Sequence, residues 1–372
     1  MDFKLNEEQQ AIQSTFRAFA NEQIMPVARE IDESKAFPRE VFEAIGELGF
    51  FGMRYPEPWG IGAGIVSYVL AIEELARGNM SVAAAAAMQS LMGTHFVHRF
   101  ADDELKKRVL DKALIGAEVC TICMTEPNSG SDLFSMSTKA VAEGDRYLIS
   151  GQKTWITSAP VADWFTVFSR TAEKGLSIFL VERGASGLQV GRAIEKMGVR
   201  ASVTSEVFFD NTPATALLGE LNQGTTYLRE ILAEIRVMTA ALAVGIGQAA
   251  YESAVTYAAE RRQFGRPINR FQAVAAHLAN MAVDLEAARR MTYWAAWRSD
   301  EGLPNAHEAS MAKLFASEAA LRICDSAARV LASYGYAAEY PVERYLRDVR
   351  FTLIGGGTSE ILRVNIARGL SL

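Results

Sequence analysis

The sequence predicts an α+β fold in three parts, and three changes of hydrophobic pattern predict it. Apolar residues recur at intervals of three and four through roughly the first 115 positions, the spacing of helix faces. From about residue 117 the pattern shortens to that of brief strands separated by turn signals. From about Asn222 to the end it is helical again, in long Ala-rich stretches. Helices, then strands, then helices is an α+β order. It divides the 372 residues into a helical domain over 1–116, a small β domain over 117–220 and a helical bundle over 221–372.

The elements follow in order. Asn6, with Gln9 three positions on, predicts a capping box ahead of an apolar face through Ile12, Phe16 and Phe19. Pro56 to Gly64 is rich in Gly and Pro and reads as a tight loop. A phosphate cradle would need a strand feeding the glycines and a Lys-Ser/Thr after them, and neither is present. Val82 to Met92 is apolar but interrupted by Gln89 and Ser90, and falls short of the ~20 residues a bilayer requires. His95 and His98 are three apart on a helix and read as surface or satisfied core. Strands are predicted at Glu118 to Thr125, Tyr147 to Ser150, Phe165 to Arg170, Leu176 to Val181 and Ser205 to Phe209. Cys120-x-x-Cys123 falls inside the first of these with no second Cys pair and no nearby His, so it reads as buried strand, not as a metal or redox site. Long helices are predicted at Leu232 to Arg261, Phe271 to Ser299 and Ala306 to Tyr334.

Composition narrows the function. A net charge of −6 argues against a general binder of nucleic acid or anionic membrane. Three cysteines are too few for a disulfide framework, and the start Met1-Asp2-Phe3-Lys4-Leu5 lacks the basic and apolar regions of a secretory signal. The cytoplasm is the expected location. The four histidines are scattered without metal-ligand spacing.

Several spaced motifs carry chemistry. Met124-Thr125-Glu126-Pro127-Asn128-Ser129-Gly130-Ser131-Asp132 leaves a strand in a Gly-containing loop, which exposes backbone N–H groups to a ligand's ring oxygens and nitrogens. Lys153-Thr154-Trp155-Ile156-Thr157-Ser158 offers an indole face that can exclude water. Glu260-Arg261-Arg262-Gln263-Phe264-Gly265-Arg266-Pro267, followed by Phe271-Gln272, reads on its residues as a basic helix end complementing the macrodipole before a Gly-Arg-Pro stop, or as guanidinium forks for an anion. Arg329-Val330-Leu331-Ala332-Ser333-Tyr334-Gly335-Tyr336 and Thr352-Leu353-Ile354-Gly355-Gly356-Gly357-Thr358-Ser359-Glu360-Ile361-Leu362-Arg363 complete the series.

In this order, and over nearly the whole chain, these stretches resemble the signatures of the acyl-CoA dehydrogenase family, flavoproteins that remove hydrogen from the α and β carbons of acyl thioesters. The resemblance implies an N-terminal helical domain, a middle β domain and a C-terminal four-helix bundle, with FAD as cofactor. It implies that Met124 and Thr125 contact the flavin, that Ser131 faces the flavin or the carrier portion of the thioester, and that Glu126 and Asp132 are structural. Trp155 would lie beside the ring and Thr157 would bond its N5 edge. Arg261 would pair with the pyrophosphate, commonly across a subunit interface, with Phe264 packed nearby and Gln272 downstream. Arg329 stands where the family has Gln, and Ala332-Ser333 where it has Gly-Gly, in a segment that approaches the partner subunit's cofactor. Thr358 and Glu360 would lie along the cofactor. A homotetramer and an electron-transferring flavoprotein partner are also implied.

One departure bears on the reaction. The family usually reads Tyr-Glu-Gly-Thr, with the Glu as α-proton base, and Gly355 and Gly356 occupy those places. Some members carry the base immediately before an Arg on another helix, and here Ile235 precedes Arg236, a substrate-site residue by resemblance. Glu234, one residue earlier and rotated by roughly 100°, is the reserve candidate for a base. The Gly356 N–H can still hold a thioester oxyanion. The sequence therefore predicts an FAD-dependent enzyme acting at the α,β carbons of an acyl thioester, linked to CoA or an acyl carrier protein, without the usual base. Enoyl reduction, β-elimination, α-hydroxyl oxidation and dehydrogenation with an unrecognised base all remain open. The alternative is a non-catalytic acyl-CoA-binding member, or a partner subunit of a hetero-oligomer.

Overall fold

The computed structural model describes residues 4–173 and 175–370; Met1 to Phe3, part of the N-terminal stretch read above, lie outside them. The chain begins with α1 (Glu7–Phe19), whose Asn6 and Gln9 form the reciprocal capping box. Then come α2 (Ala28–Ser34), α3 (Arg39–Glu47), α4 (Ile65–Gly78), α5 (Met80–Ala87), α6 (His95–Phe100) and α7 (Asp103–Ala113). Two π-helical turns interrupt the series, at Ala20–Ile24 and at Met88–Gly93.

Every residue of α4 is buried, because it packs between α1, α8 and α9. A helix enclosed on all sides needs apolar residues all round, and its charged exceptions are paired. Glu73 binds Arg289 at 2.8 Å, and Glu74 binds Arg77 and Arg17. Gly245 allows α8 to approach, since a Cβ there would stand 2.3 Å from the Glu73 carbonyl oxygen.

The middle region is, among the described residues, an eight-stranded sheet. Its strands are β1 (Cys120–Cys123), β2 (Lys139–Glu143), β3 (Arg146–Thr157), β4 (Trp164–Arg170), β5 (Leu176–Glu182), β6 (Leu188–Val190), β7 (Thr204–Pro213) and β8 (Ala216–Leu218). The order is β6-β7-β3-β2-β4-β5-β8, with β1 parallel to β4. All five predicted strands are present. The predicted Tyr147 to Ser150 is only the start of the much longer β3, and the short β2, β6 and β8 are additional. Cys120 and Cys123 are buried in β1 as free thiols, and burial pushes the Cys123 thiol up to about 12.

The C-terminal region is helical: α8 (Gly224–Glu260), α9 (Gln272–Asp300), α10 (Ala306–Leu331), α11 (Val342–Asp348) and α12 (Ser359–Gly369). A two-stranded hairpin, β9 (Arg262–Gln263) and β10 (Arg266–Pro267), separates α8 from α9. Helices α8, α9 and α10 pack on one another, and α12 lies against α10. Among the described residues no helix is long and apolar enough to cross a membrane.

Candidate active site

Two stretches of the middle region meet where β1 ends. The Lys153 ammonium, fully buried on β3, donates to the Met124 carbonyl at 3.1 Å and to Glu126 at 2.9 Å. Glu126 also accepts from the Ser137 N–H and hydroxyl and from the Thr138 N–H. Burial raises its pKa, but the hydrogen bonds from Thr138 and Ser137 and the Lys153 charge outweigh this and hold it at about 2. Glu126 therefore fixes the loop to the sheet. The Thr154 N–H bonds the Thr125 carbonyl at 2.9 Å, and the Thr121 hydroxyl donates to the Thr157 carbonyl at 2.6 Å. Met124, Thr125, Trp155 and Thr157 are thus brought to adjoining strand ends, while Ser131 and Asp132 are exposed in the loop beyond.

Trp155 is the outlier of this cluster. The β3–β7 register shifts between Lys153 and Ile156, and Trp155 sits in that bulge with φ of +59°. Bulky residues avoid this left-handed region, where strain of order 1–3 kcal/mol is tolerated mainly at functional sites. The bulge turns the indole out of the sheet and leaves it 57% exposed. A buried strand Trp is ruled out.

The triglycine turn is built from the other side. Gly355–Gly357 lead into α12, whose first turn is capped by Thr358 accepting from the Ile361 N–H. From α10, Lys313 donates to the Gly357 carbonyl at 2.6 Å and Ser317 to the Thr352 carbonyl at 2.9 Å. Gly356 has φ of +69°, and a Cβ there would stand 2.6 Å from the Thr239 hydroxyl oxygen on α8. No acceptor among the described residues takes the Gly356 N–H. Arg236, one α8 turn from Thr239, is largely buried and donates to the Ser310 hydroxyl at 3.1 Å, with its Nε unpartnered. Burial, then the nearby Arg236 charge, lowers Lys313 to about 8. Neither cation makes an ion pair among the described residues.

The carboxylates of the region are already engaged. Glu234, the reserve base, is ion-paired with Arg54. Glu360 is exposed at the start of α12, where its own N–H and the Thr358 hydroxyl lower its pKa. Asp300 accepts from the Ile65 and Val66 N–H groups and caps α4.

A third group lies at the exposed helix ends. Arg261 terminates α8, with its guanidinium 5.8 Å from the Tyr334 ring. Phe264 tips the hairpin at φ of +48°, 92% exposed, with its ring edge-on to Phe271. Gln272 is exposed at the first turn of α9. Arg329 bonds Asp325 at 2.7 Å, and Ala332 takes φ of +54° where the family pattern has glycine.

Sequence reasoning missed Arg54, His95 and Lys313. His95 was read as surface or satisfied core; it is half-buried, and its Nε2 is buried without a partner among the described residues. A lone charge within an apolar stretch, as in Gly52-Met53-Arg54-Tyr55 and Ala312-Lys313-Leu314-Phe315, was the available signal. Among the described residues no group of three or more acidic, Cys or His side chains could hold a metal ion.

Comparison with known proteins gives the family. The chain matches the acyl-CoA dehydrogenase N-terminal domain over residues 6–117, the middle domain over 121–212 and the C-terminal domain over 222–371. It is 56% identical to the benzylmalonyl-CoA dehydrogenase of Aromatoleum aromaticum, over 100% of both chains. The butyryl-CoA dehydrogenase structure from Megasphaera elsdenii superposes with a TM-score of 0.96 at 32% identity, over 100% of both chains. A structure of PigA with FAD and proline superposes at 0.96 with 28% identity, again over 100% of both chains. The chain belongs to the acyl-CoA dehydrogenase family and is a flavoenzyme of acyl thioesters.

Proposed function

We propose that the chain is an FAD-dependent enzyme that oxidises an α-carboxylated acyl-CoA, with 2-benzylmalonyl-CoA as its type substrate, to the α,β-unsaturated thioester with loss of CO2. The single observation that carries this reading is the charge around the triglycine turn. Lys313 is buried there and Arg236 half-buried, both without ion pairs among the described residues, and each neighbouring carboxylate is paired, capping a helix or exposed. Such a site suits an anionic substrate and lacks a free base. The 56% identity to a benzylmalonyl-CoA dehydrogenase supports the same substrate class.

The chemistry closes without a base. Cleavage of the bond from Cα to the carboxylate leaves its electron pair on Cα as the thioester enolate and releases neutral CO2, so no α-proton has to be removed. The Gly356 N–H, free of protein acceptors, would bond the enolate oxygen as charge develops there. Bound FAD would supply the acceptor for the hydride that leaves Cβ as the double bond forms. From benzylmalonyl-CoA the product is the cinnamoyl thioester.

The residues present fit this cofactor. The exposed Trp155 and adjacent Thr157 would hold the ring and exclude water, with Met124 and Thr125 presenting backbone groups to its edge. Arg261, exposed and without a carboxylate partner, would take the diphosphate, with Phe264 and Gln272 beside it and Arg329, Thr358 and Glu360 along the remainder. Ser131 would lie toward the CoA portion. Exposure of Phe264 and Tyr336 at 92% and 93% supports a homotetramer, and an electron-transferring flavoprotein is the proposed electron acceptor.

The test is anaerobic mixing of the FAD-loaded enzyme with 2-benzylmalonyl-CoA. The expected result is flavin bleaching with one CO2 released per flavin reduced. Bleaching without CO2 would sink the reading.

A further inference from the structure

We infer that Arg54, assisted by His95, is the receptor for the free carboxylate of the substrate; this rests on the α-carboxylated substrate proposed above. Arg54 lies in the loop between α3 and α4, with its side chain only 12% exposed. Its Nη2 bonds Glu234, while Nε and Nη1 are buried without any acceptor. At least three of the five guanidinium N–H bonds are therefore idle among the described residues, and a buried donor left unpaired favours any ligand that supplies an acceptor. The Tyr68 ring, 5.3 Å beneath, holds the guanidinium in place, and the Tyr68 hydroxyl is itself bonded to Ser90 at 2.7 Å.

His95 supplies an independent second orphan. Its Nε2 is buried without a partner among the described residues, and burial, followed by the charge of Arg54, lowers its pKa to about 3. It is thus a neutral imidazole close enough to Arg54 to feel it, able to donate from Nε2. The π-helical turn Met88–Gly93 lies just before it in the chain, and such turns are frequent at functional sites.

Position and charge connect this cluster to the reaction. Glu234 is followed by Ile235, whose carbonyl accepts from the Thr239 hydroxyl that faces Gly356. The cations of the region are Arg54, Arg236 and Lys313, and among the described residues only Arg54 makes an ion pair, through one of its three nitrogens. The unpaired guanidinium edge is free to take a substrate carboxylate. The carboxylate sheds its charge only as CO2 departs, so the contact is held alike in the bound substrate and in the transition state. It therefore governs binding and selectivity, not turnover.

The experiment compares FAD-loaded wild type with R54K and with R54M/E234M, the double variant removing both members of the ion pair so that no unpaired charge is buried. KM and kcat are measured for 2-benzylmalonyl-CoA, and Kd for 3-phenylpropanoyl-CoA, the same skeleton without the carboxylate. Loss of Arg54 is expected to raise KM for the carboxylated thioester by ~30-fold or more, with kcat changed by less than about threefold. The Kd for 3-phenylpropanoyl-CoA should hold, and R54K should fall between. Equal weakening of both thioesters, or an unchanged KM, overturns the assignment. Wild type that binds 2-benzylmalonyl-CoA in an Arg54-dependent way but releases no CO2 keeps the receptor and overturns the proposed reaction instead.

Discussion

At the scale of single residues, Gly356 decides what repair of the site can achieve. A glutamate there would have to hold φ of +69°, which costs an L-residue roughly 1–2 kcal/mol, and its Cβ would press on the Thr239 hydroxyl at 2.6 Å. G356E alone is therefore expected to lower Tm and to give no flavin bleaching with 3-phenylpropanoyl-CoA. G356E/T239G relieves the contact and should recover stability relative to G356E. A stable G356E enzyme that dehydrogenates the plain thioester would show that a carboxylate can be placed over Cα without rearrangement. The sequence revealed that glycines stand at these positions. It did not reveal the positive φ or the Lys313 clamp from α10, because both depend on how distant segments close around the turn. Arg54 was equally hidden, since one charge in an apolar loop does not disclose which of its N–H groups lack partners.

At the scale of elements, β3 shows why the strand pattern was only partly legible. Its opening residues alternate, but the Trp155 bulge reverses the inward and outward faces, so a period-two reading stops short of the segment that matters. β2 buries only Ala140, and β6 and β8 are three residues each, too little for a hydrophobic signal. The long C-terminal helices were legible because their pattern persists for many turns. The bulge is held by the Glu126–Lys153 pair, which gives a pH prediction with a definite sign. The folded pKa of Glu126, about 2, lies below its unfolded value near 4.3. Its contribution is thus complete above about pH 5 and is lost as pH falls through about 2. E126Q also leaves Lys153 buried without its counterion, and should cost about 3–5 kcal/mol at pH 7. Urea denaturation should show the gap between E126Q and wild type narrowing toward pH 3. A gap independent of pH would mean that packing, not charge, is what Glu126 supplies.

At the scale of the whole molecule, the three regions are tied together around α11. Arg347 bonds Asp32 on α2 and Glu343, while Asp348 accepts from the Val199 N–H in the middle region. The single chain still leaves Phe264 exposed in a left-handed conformation and Tyr336 almost bare. A large aromatic held at positive φ and facing water gains nothing within its own chain, and burial in a second copy would recover both costs. Arg261, three residues away, makes no ion pair among the described residues and would meet the diphosphate at the same place. The two roles separate by mutation. F264D should dissociate the assembly in sedimentation velocity and lower the FAD-to-chain ratio together with it. R261M should keep the assembly and weaken FAD by ~10- to 100-fold, the worth of a charge-assisted hydrogen bond. If F264D sediments as wild type with full flavin content, the hairpin lies outside any subunit contact and the aromatic tip must serve some other surface.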